Sequence, residues 1–257
     1  MHAGPYSSRE VRVIAGGLEV PDLRPHFKHL HWRPMPHSMG VPVASDFADR
    51  PASDPVFGLY KNCGLWTQDE AAILYQCALQ RRGLWVDLGC HTGWTSAHIA
   101  EAGCETWAVD NMLPVENFYK RFLENTSSWG INPYAGTTAQ FFESITPGME
   151  SSVRGFSGVV IDADHEHPWP LKDAENALKH LEGAGVILFH DFIGRPVRTA
   201  VEHLMEAGFR CRVYWTAHMV ACCWRGDFVP PEHHPLPGID WRRVRESMPD
   251  FAFDRCA

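Results

Sequence analysis

The chain has 257 residues, enough for one domain with extensions and for a core that needs no disulfide staples. Its net charge is −8, from 23 basic and 31 acidic residues with no dense basic run, which argues against a nucleic-acid partner. No apolar run approaches membrane length, no basic and then apolar leader opens the chain, and the eight cysteines form no Cys-x-x-Cys pair, so a cytoplasmic protein with buried free thiols is expected.

Residues 1–60 are rich in Pro, His and Arg, with His26, His29, His31 and His37 among Pro25, Pro34 and Pro36. They read as an N-terminal arm or cap that covers a neighbour or the active site. One alternating apolar piece, Val11 to Ile14, predicts a strand. Thr67-Gln-Asp-Glu70 is a capping-box pattern. It predicts a helix with Ile73, Leu74, Cys77 and Ala78 on one face, stopping near Gly83. That helix leads into Leu84-Trp85-Val86, a short apolar run read as a buried strand. Asp87 follows, then Gly89 and Gly93, then a helical pattern closed by Gly103.

Strand, glycine turn and helix make a nucleotide-binding corner. The glycines permit a tight turn and close approach of a ligand, and the helix start offers N–H groups beside it. A dinucleotide fingerprint would place glycines at 91 and 94. His91 and Trp94 stand there instead. The second strand, Thr106 to Asp110, ends in a carboxylate 21 positions beyond Gly89, a distance that suits a ribose diol.

A helical stretch with Val115, Phe118, Tyr119 and Phe122 on one face comes next, then a third strand near Ile131 to Ala135 and the turn Gly136-Thr-Thr138. The fourth strand, Gly158 to Asp162, runs into Ala-Asp-His-Glu-His167. Pro168 opens a helix with Leu171, Ala174, Leu178 and Leu181 inward, ended by Gly183 and Gly185. The fifth strand is Val186 to Asp191, followed by a helix with Val197, Val201 and Leu204 and a hairpin from Phe209 to Trp224. Alternating strands and helices predict an α/β fold, a parallel sheet covered on both faces. The organisation expected is an arm at 1–60, a catalytic domain at 61–228 and a wrapping tail at 229–257.

The pattern Asp-x-Gly-x-x-x-Gly at 87–93, with Asp110 after it, resembles motif I of the class I S-adenosylmethionine-dependent methyltransferases. The resemblance covers roughly residues 65–225. It implies a Rossmann-like, seven-stranded, mostly parallel sheet closed by an antiparallel hairpin. It also implies that S-adenosylmethionine is held by Asp87, Gly89, His91, Gly93, Asp110 and Asn111, with Thr137 near the adenine. Trp94 reads as packing.

Asp-x-Asp-His at 162–165, with His190-Asp191 after the fifth strand, resembles a narrower group. These are the metal-dependent small-molecule O-methyltransferases related to macrocin O-methyltransferase, together with their cephalosporin-hydroxylase-like branch. The resemblance implies that Asp162, His190 and Asp191 hold a divalent cation, Mg²⁺ or Mn²⁺, and that Asp164 takes the substrate proton, with His165 as the other candidate. The departure is His190, where the group commonly has an oxygen ligand. An imidazole there shifts preference toward Mn²⁺, Fe²⁺ or Zn²⁺, unless Asp162 and Asp191 hold the ion alone.

The function expected is O-methyl transfer to a hydroxyl of a small metabolite such as a sugar or natural product. The alternatives are a nicotinamide-dependent oxidoreductase on a similar sheet and a non-catalytic cofactor-binding protein. A base-methylating enzyme is disfavoured, because such enzymes carry an Asn-Pro-Pro-Tyr type motif where this chain has Asp-Ala-Asp-His. A small hydroxylated partner, no nucleic acid, no membrane and a homo-oligomer built on the terminal arms complete the expectation.

Overall fold

The computed structural model describes residues 11–28, 30–34, 40–44, 66–112, 116–145 and 155–256, with the backbone alone at 30–34, 40–44 and 116. Two short antiparallel pairs open the chain: β1 (Arg12–Ala15) with β2 (Leu18–Pro21), and β3 (Leu30–Pro34) with β4 (Gly40–Ala44). The strand expected at Val11 to Ile14 is thus one arm of a hairpin. Its partner and the following turn bury Val20, Leu23 and Phe27 completely. Phe27 meets Trp94 edge to face, with ring centroids 5.0 Å apart. This part of the N-terminal region therefore packs into the main core. The side chains of His29, His31 and His37 lie outside the described residues.

Helix α1 (Gln68–Gln80) starts where the capping box predicts. The Thr67 hydroxyl accepts the Glu70 N–H at 3.2 Å, and Glu70 Oε2 accepts the Thr67 N–H at 2.7 Å. The sheet then builds in alternation. β5 (Leu84–Leu88), α2 (Trp94–Glu101), β6 (Glu105–Asp110), α3 (Glu116–Thr126), β7 (Ile131–Ala135) and α4 (Thr138–Ser144) form one half. β8 (Phe156–Ile161), α5 (Trp169–His180), β9 (Leu181–Phe189), α6 (Arg195–Glu206), β10 (Arg210–Tyr214) and β11 (Val220–Trp224) form the other. A short helix, α7 (Trp241–Glu246), lies in the tail.

The seven strands lie in the order β10-β11-β9-β8-β5-β6-β7. The five from β9 to β7 are parallel, and β11 enters antiparallel between β9 and β10. This is the sheet the sequence leads one to expect. β5 and β8 are buried at every position, because helices cover both faces of the central strands. One boundary differs from expectation. Gly183 and Gly185 do not end α5; they lie inside β9, which begins at Leu181. Leu181 is already extended (φ −74°, ψ 135°) and pairs with Phe156, so pairing with β8 claims the segment that a glycine stop would have left as a turn.

Seven described cysteines are free thiols, six of them buried; Cys63 lies outside the described residues. Among the described residues, no helix is long and apolar enough to cross a membrane. The tail wraps back onto the domain. The His234 N–H donates to Gly16 O in the hairpin turn at 2.8 Å, and Arg198 of α6 forms an ion pair with Asp250 at 2.9 Å.

Candidate active site

The C-terminal ends of the parallel strands bring together two groups of side chains, one on each side of the β5–β8 boundary. This is the switch point, where an open α/β sheet leaves a crevice.

The first group is the glycine corner. Gly89 and Gly93 have φ of +89° and +92°, a region that costs L-residues energy. A Cβ at Gly89 would stand 2.3 Å from the Asp162 carbonyl oxygen, so the turn rests directly on the end of β8. His91 is also left-handed (φ +47°), which directs its N–H to Asp110 Oδ2 at 2.8 Å. The Met112 N–H fills the other Asp110 oxygen at 2.7 Å. Each oxygen keeps a second lone pair for a diol. Burial raises the Asp110 pKa, and the two N–H groups work against that rise.

Asp87 sits deeper. It is fully enclosed, and its Oδ2 accepts the Thr95 and Ser96 hydroxyls at 2.6 and 2.5 Å, tying β5 to the first turn of α2. Burial pushes its carboxyl up to about 7, helped by the neighbouring Asp162 and Asp110 charges. Its Oδ1 is enclosed with no hydrogen-bond partner. That orphaned acceptor fits a cationic ligand group better than it fits a closed core. Trp94 is wholly buried and packs on Phe27 and His98. Asn111 is exposed. Thr137 is exposed too, but its hydroxyl is spent as the N-cap of α4, accepting the Gln140 N–H at 3.2 Å.

The second group lies at the ends of β8 and β9. Consecutive strand side chains point to opposite faces. Asp191 escapes that rule by turning left-handed (φ +50°), and its carboxylate comes to the same side as His190. His190 Nδ1 is 3.0 Å from Asp162 Oδ1 and 3.5 Å from Asp191 Oδ2. His165 Nε2 is 3.3 Å from Asp162 Oδ1 and 3.5 Å from Asp191 Oδ2. It is enclosed but makes no hydrogen bond. Donor atoms about 2.1 Å from a dication stand roughly 3.0 Å apart along an octahedral edge and roughly 3.4 Å along a tetrahedral one. Two carboxylates and two imidazoles at these separations therefore fit a divalent cation.

The electrostatics are balanced in pairs. Burial disfavours every charge here, yet His190 and His165 hold the Asp162 carboxyl well below its usual range. For His190, burial is outweighed by Asp162, Asp191 and Glu70, and the imidazolium is held well above its usual range. His165 is raised the same way by Asp162 and Asp191. Asp164 is not in the cluster. It is exposed, and its Oδ1 accepts the Glu166 N–H at 2.8 Å, closing a local turn.

Three residues not read from the sequence as site members join this group. Trp66 stacks on His190, with centroids 5.0 Å apart, and its Nε1–H donates to Asp162 Oδ2 at 3.0 Å. Glu70, fully buried, lies 3.4 Å from His190 Nε2 and 3.2 Å from His218 Nδ1. His218 comes from the β10–β11 turn. The capping box accounts for Glu70 in the sequence, and nothing there signals a second task.

With this geometry in view, the relatives are informative. Residues 86–192, from β5 to just past Asp191, match the family model described as a methyltransferase domain. These residues form a class I methyltransferase domain. The chain is accordingly an enzyme of the kind that takes its methyl group from S-adenosylmethionine. Solved structures share the fold. One is an O-methyltransferase from Bacillus cereus in complex with S-adenosylhomocysteine, with a TM-score of 0.53, 12% identity, and coverage of 66% of this chain and 87% of that one. A putative caffeoyl-CoA O-methyltransferase from Staphylococcus aureus gives 0.52 at 13% identity, covering 71% and 96%. An O-methyltransferase from Streptomyces achromogenes involved in tomaymycin synthesis gives 0.51 at 15%, covering 66% and 86%. A search of curated proteins finds no match. The methyltransferase match replaces the nicotinamide alternative, in keeping with the absence of the second and third fingerprint glycines.

Proposed function

We propose that this methyltransferase transfers a methyl group to a hydroxyl oxygen of a small metabolite, a sugar or natural product, with a divalent cation in its site. The observation that carries the reading is the convergence of Asp162, His165, His190 and Asp191 beside the glycine corner, with Gly89 packed on the Asp162 backbone. When bound, S-adenosylmethionine supplies an already activated methyl, and a cation such as Mg²⁺ or Mn²⁺ lowers the pKa of a bound hydroxyl. Asp162, His190 and Asp191 are the residues to hold that cation.

His165 suits the proton-accepting role better than Asp164, because its ring nitrogen lies among the cluster oxygens while Asp164 faces solvent. The carboxylates that raise the His165 pKa are the ones a cation would neutralise. Their loss as partners returns the imidazole toward its neutral, basic form. On the cofactor side, Asp110 accepts from the ribose diol, Asp87 Oδ1 faces the ammonium of the methionine part, and Gly89, His91 and Gly93 shape the turn. Asn111 and Thr137 border the adenine. The remaining expectations carry over as part of this reading: a catalytic domain at 61–228 between two arms, a cytoplasmic setting, no nucleic-acid partner, and a homo-oligomer.

The test is calorimetric titration with S-adenosylhomocysteine, with NAD⁺ as control, followed by turnover of hydroxylated acceptors with and without Mn²⁺ or Mg²⁺. Micromolar binding of the first ligand alone and cation-dependent turnover are expected. Turnover that survives chelation would overturn the metal part, and binding of NAD⁺ alone would overturn the cofactor.

A further inference from the structure

Glu70 lies 16 positions before the matched domain, on helix α1, yet it touches the centre of the site. Its Oε1 accepts the His218 N–H at 2.9 Å. Its Oε2 accepts the Thr67 N–H and faces two rings, His218 Nδ1 at 3.2 Å and His190 Nε2 at 3.4 Å. Both ring nitrogens of His190 thus meet carboxylates on opposite sides: Nε2 meets Glu70, and Nδ1 meets Asp162 and Asp191. The ring is stacked on Trp66 at an interplanar angle of 14° and is 3% exposed, so it cannot rotate to exchange the two. Which nitrogen carries the proton decides what the site can bind. A proton on Nδ1 points at Asp162 and removes the ring from coordination. A proton on Nε2 points at Glu70 and presents the Nδ1 lone pair among Asp162, Asp191 and His165.

We infer that Glu70 is a positioning residue that fixes the His190 proton on Nε2, making Nδ1 a metal ligand and giving the site a preference for first-row transition dications over Mg²⁺. This rests on the metal-assisted reading above and deepens it. A buried carboxylate accepting the distal N–H of a ligating imidazole orients the ring and raises its basicity. A mixed nitrogen and oxygen site follows the transition-metal affinity order, whereas Mg²⁺ demands oxygen. Glu70 does this while serving as the third residue of its helix, where glutamine caps equally well. Glu70→Gln therefore keeps the cap and removes the charge, with the amide nitrogen turned to the His218 N–H that Oε1 accepts in the wild type.

The experiment is Mn²⁺ titration followed by electron paramagnetic resonance, with competing Mg²⁺, on wild type, Glu70→Gln, His190→Asn and the double variant. S-adenosylhomocysteine binding and the thermal midpoint report folding. Glu70→Gln is expected to weaken Mn²⁺ about 10- to 100-fold, to narrow the Mn²⁺ over Mg²⁺ preference, and to move S-adenosylhomocysteine affinity less than about threefold. In the His190→Asn background the same change is expected to add nothing. An unchanged Mn²⁺ affinity in Glu70→Gln, or equal effects with and without His190, overturns the inference. Wild type that binds neither Mn²⁺ nor Zn²⁺ overturns the metal reading and the inference with it. Nitrogen-15 spectra of the Zn²⁺-loaded wild type decide the point without any variant. A proton on Nε2 of His190 supports the inference, and a proton on Nδ1 overturns it.

Discussion

The glycine corner and the strand-end cluster occupy neighbouring ends of one sheet, but they are made differently. The corner comes from one run of chain, Asp87 to Asp110, and the hydrogen bonds of Asp87 and Asp110 span at most 19 residues. The cluster draws on α1, β8, β9 and the β10–β11 turn, and the hydrogen bonds that join these elements span 28 to 148 residues. The corner is backbone geometry, with left-handed residues and N–H groups placed on carboxylates. The cluster is side-chain chemistry, with three acids and three imidazoles balancing one another. A local motif can be inherited whole, whereas a cluster of this kind exists only once the fold is complete.

If the halves divide cofactor binding from catalysis, variants should separate them. The largest effect is expected at Asp162, which touches His190, His165 and Trp66. Asp162→Ala should lower kcat about a thousandfold or more while S-adenosylhomocysteine still binds, as read by steady-state kinetics and calorimetry. Loss of ligand binding as well would erase the division. His165→Ala should lower kcat about 10²- to 10⁴-fold with little change in cofactor KM. A change confined to KM would move His165 out of the proton-accepting role.

Asp173, 2% exposed on α5, lies outside both halves and tests stability alone. Burial pushes its carboxyl up to about 6, against a hydrogen bond from Thr138. An unfolded Asp loses its proton near pH 3.9, so between about pH 4 and 6 the folded chain holds more protons than the unfolded one. Stability from this group is present below pH 4 and is lost as pH rises through 6, by up to about 3 kcal/mol. Asp173→Asn should remove that loss. Denaturant unfolding should find the variant more stable than wild type at pH 8 and similar at pH 4. An unchanged gap at the two pH values would show that the residue is ionised in the fold. The smallest effect is expected at Asp110. Asp110→Ala should weaken S-adenosylhomocysteine by about 2 kcal/mol, the value of a charge-assisted hydrogen bond, and leave Mn²⁺ binding alone.

The same contrast explains what the sequence made legible. Strand and helix periods, the Thr67–Glu70 capping box and the Gly89–Asp110 spacing all act over short stretches, and each lies where the sequence indicates. The end of α5 is not legible at Gly183 and Gly185, because the pull of β8 on Leu181 is tertiary. In sequence Asp164 reads as the group that takes the substrate proton. Its separation from the cluster follows from a local turn to Glu166. Glu70 had a sufficient local explanation as a cap, which concealed its contact with His190, 120 residues on. Trp66 and His218 carry no pattern at all; sheet closure alone brings them in.

Asp69 and Glu70 are neighbours with separate partners. Asp69 Oδ2 meets His233 Nε2 of the tail at 2.8 Å, both side chains being 1% exposed, while Glu70 meets His190 and His218. Chains are synthesised from the N-terminus. These two acids therefore leave the ribosome long before any of the imidazoles they face, and the Asp69–His233 contact that ties α1 to the tail forms only after His233 has emerged. A chain that stops before His233 would keep the residues of the glycine corner and leave Asp69 without the imidazole it meets in the fold. Helix α1 thus joins a stretch of chain made early to one made late.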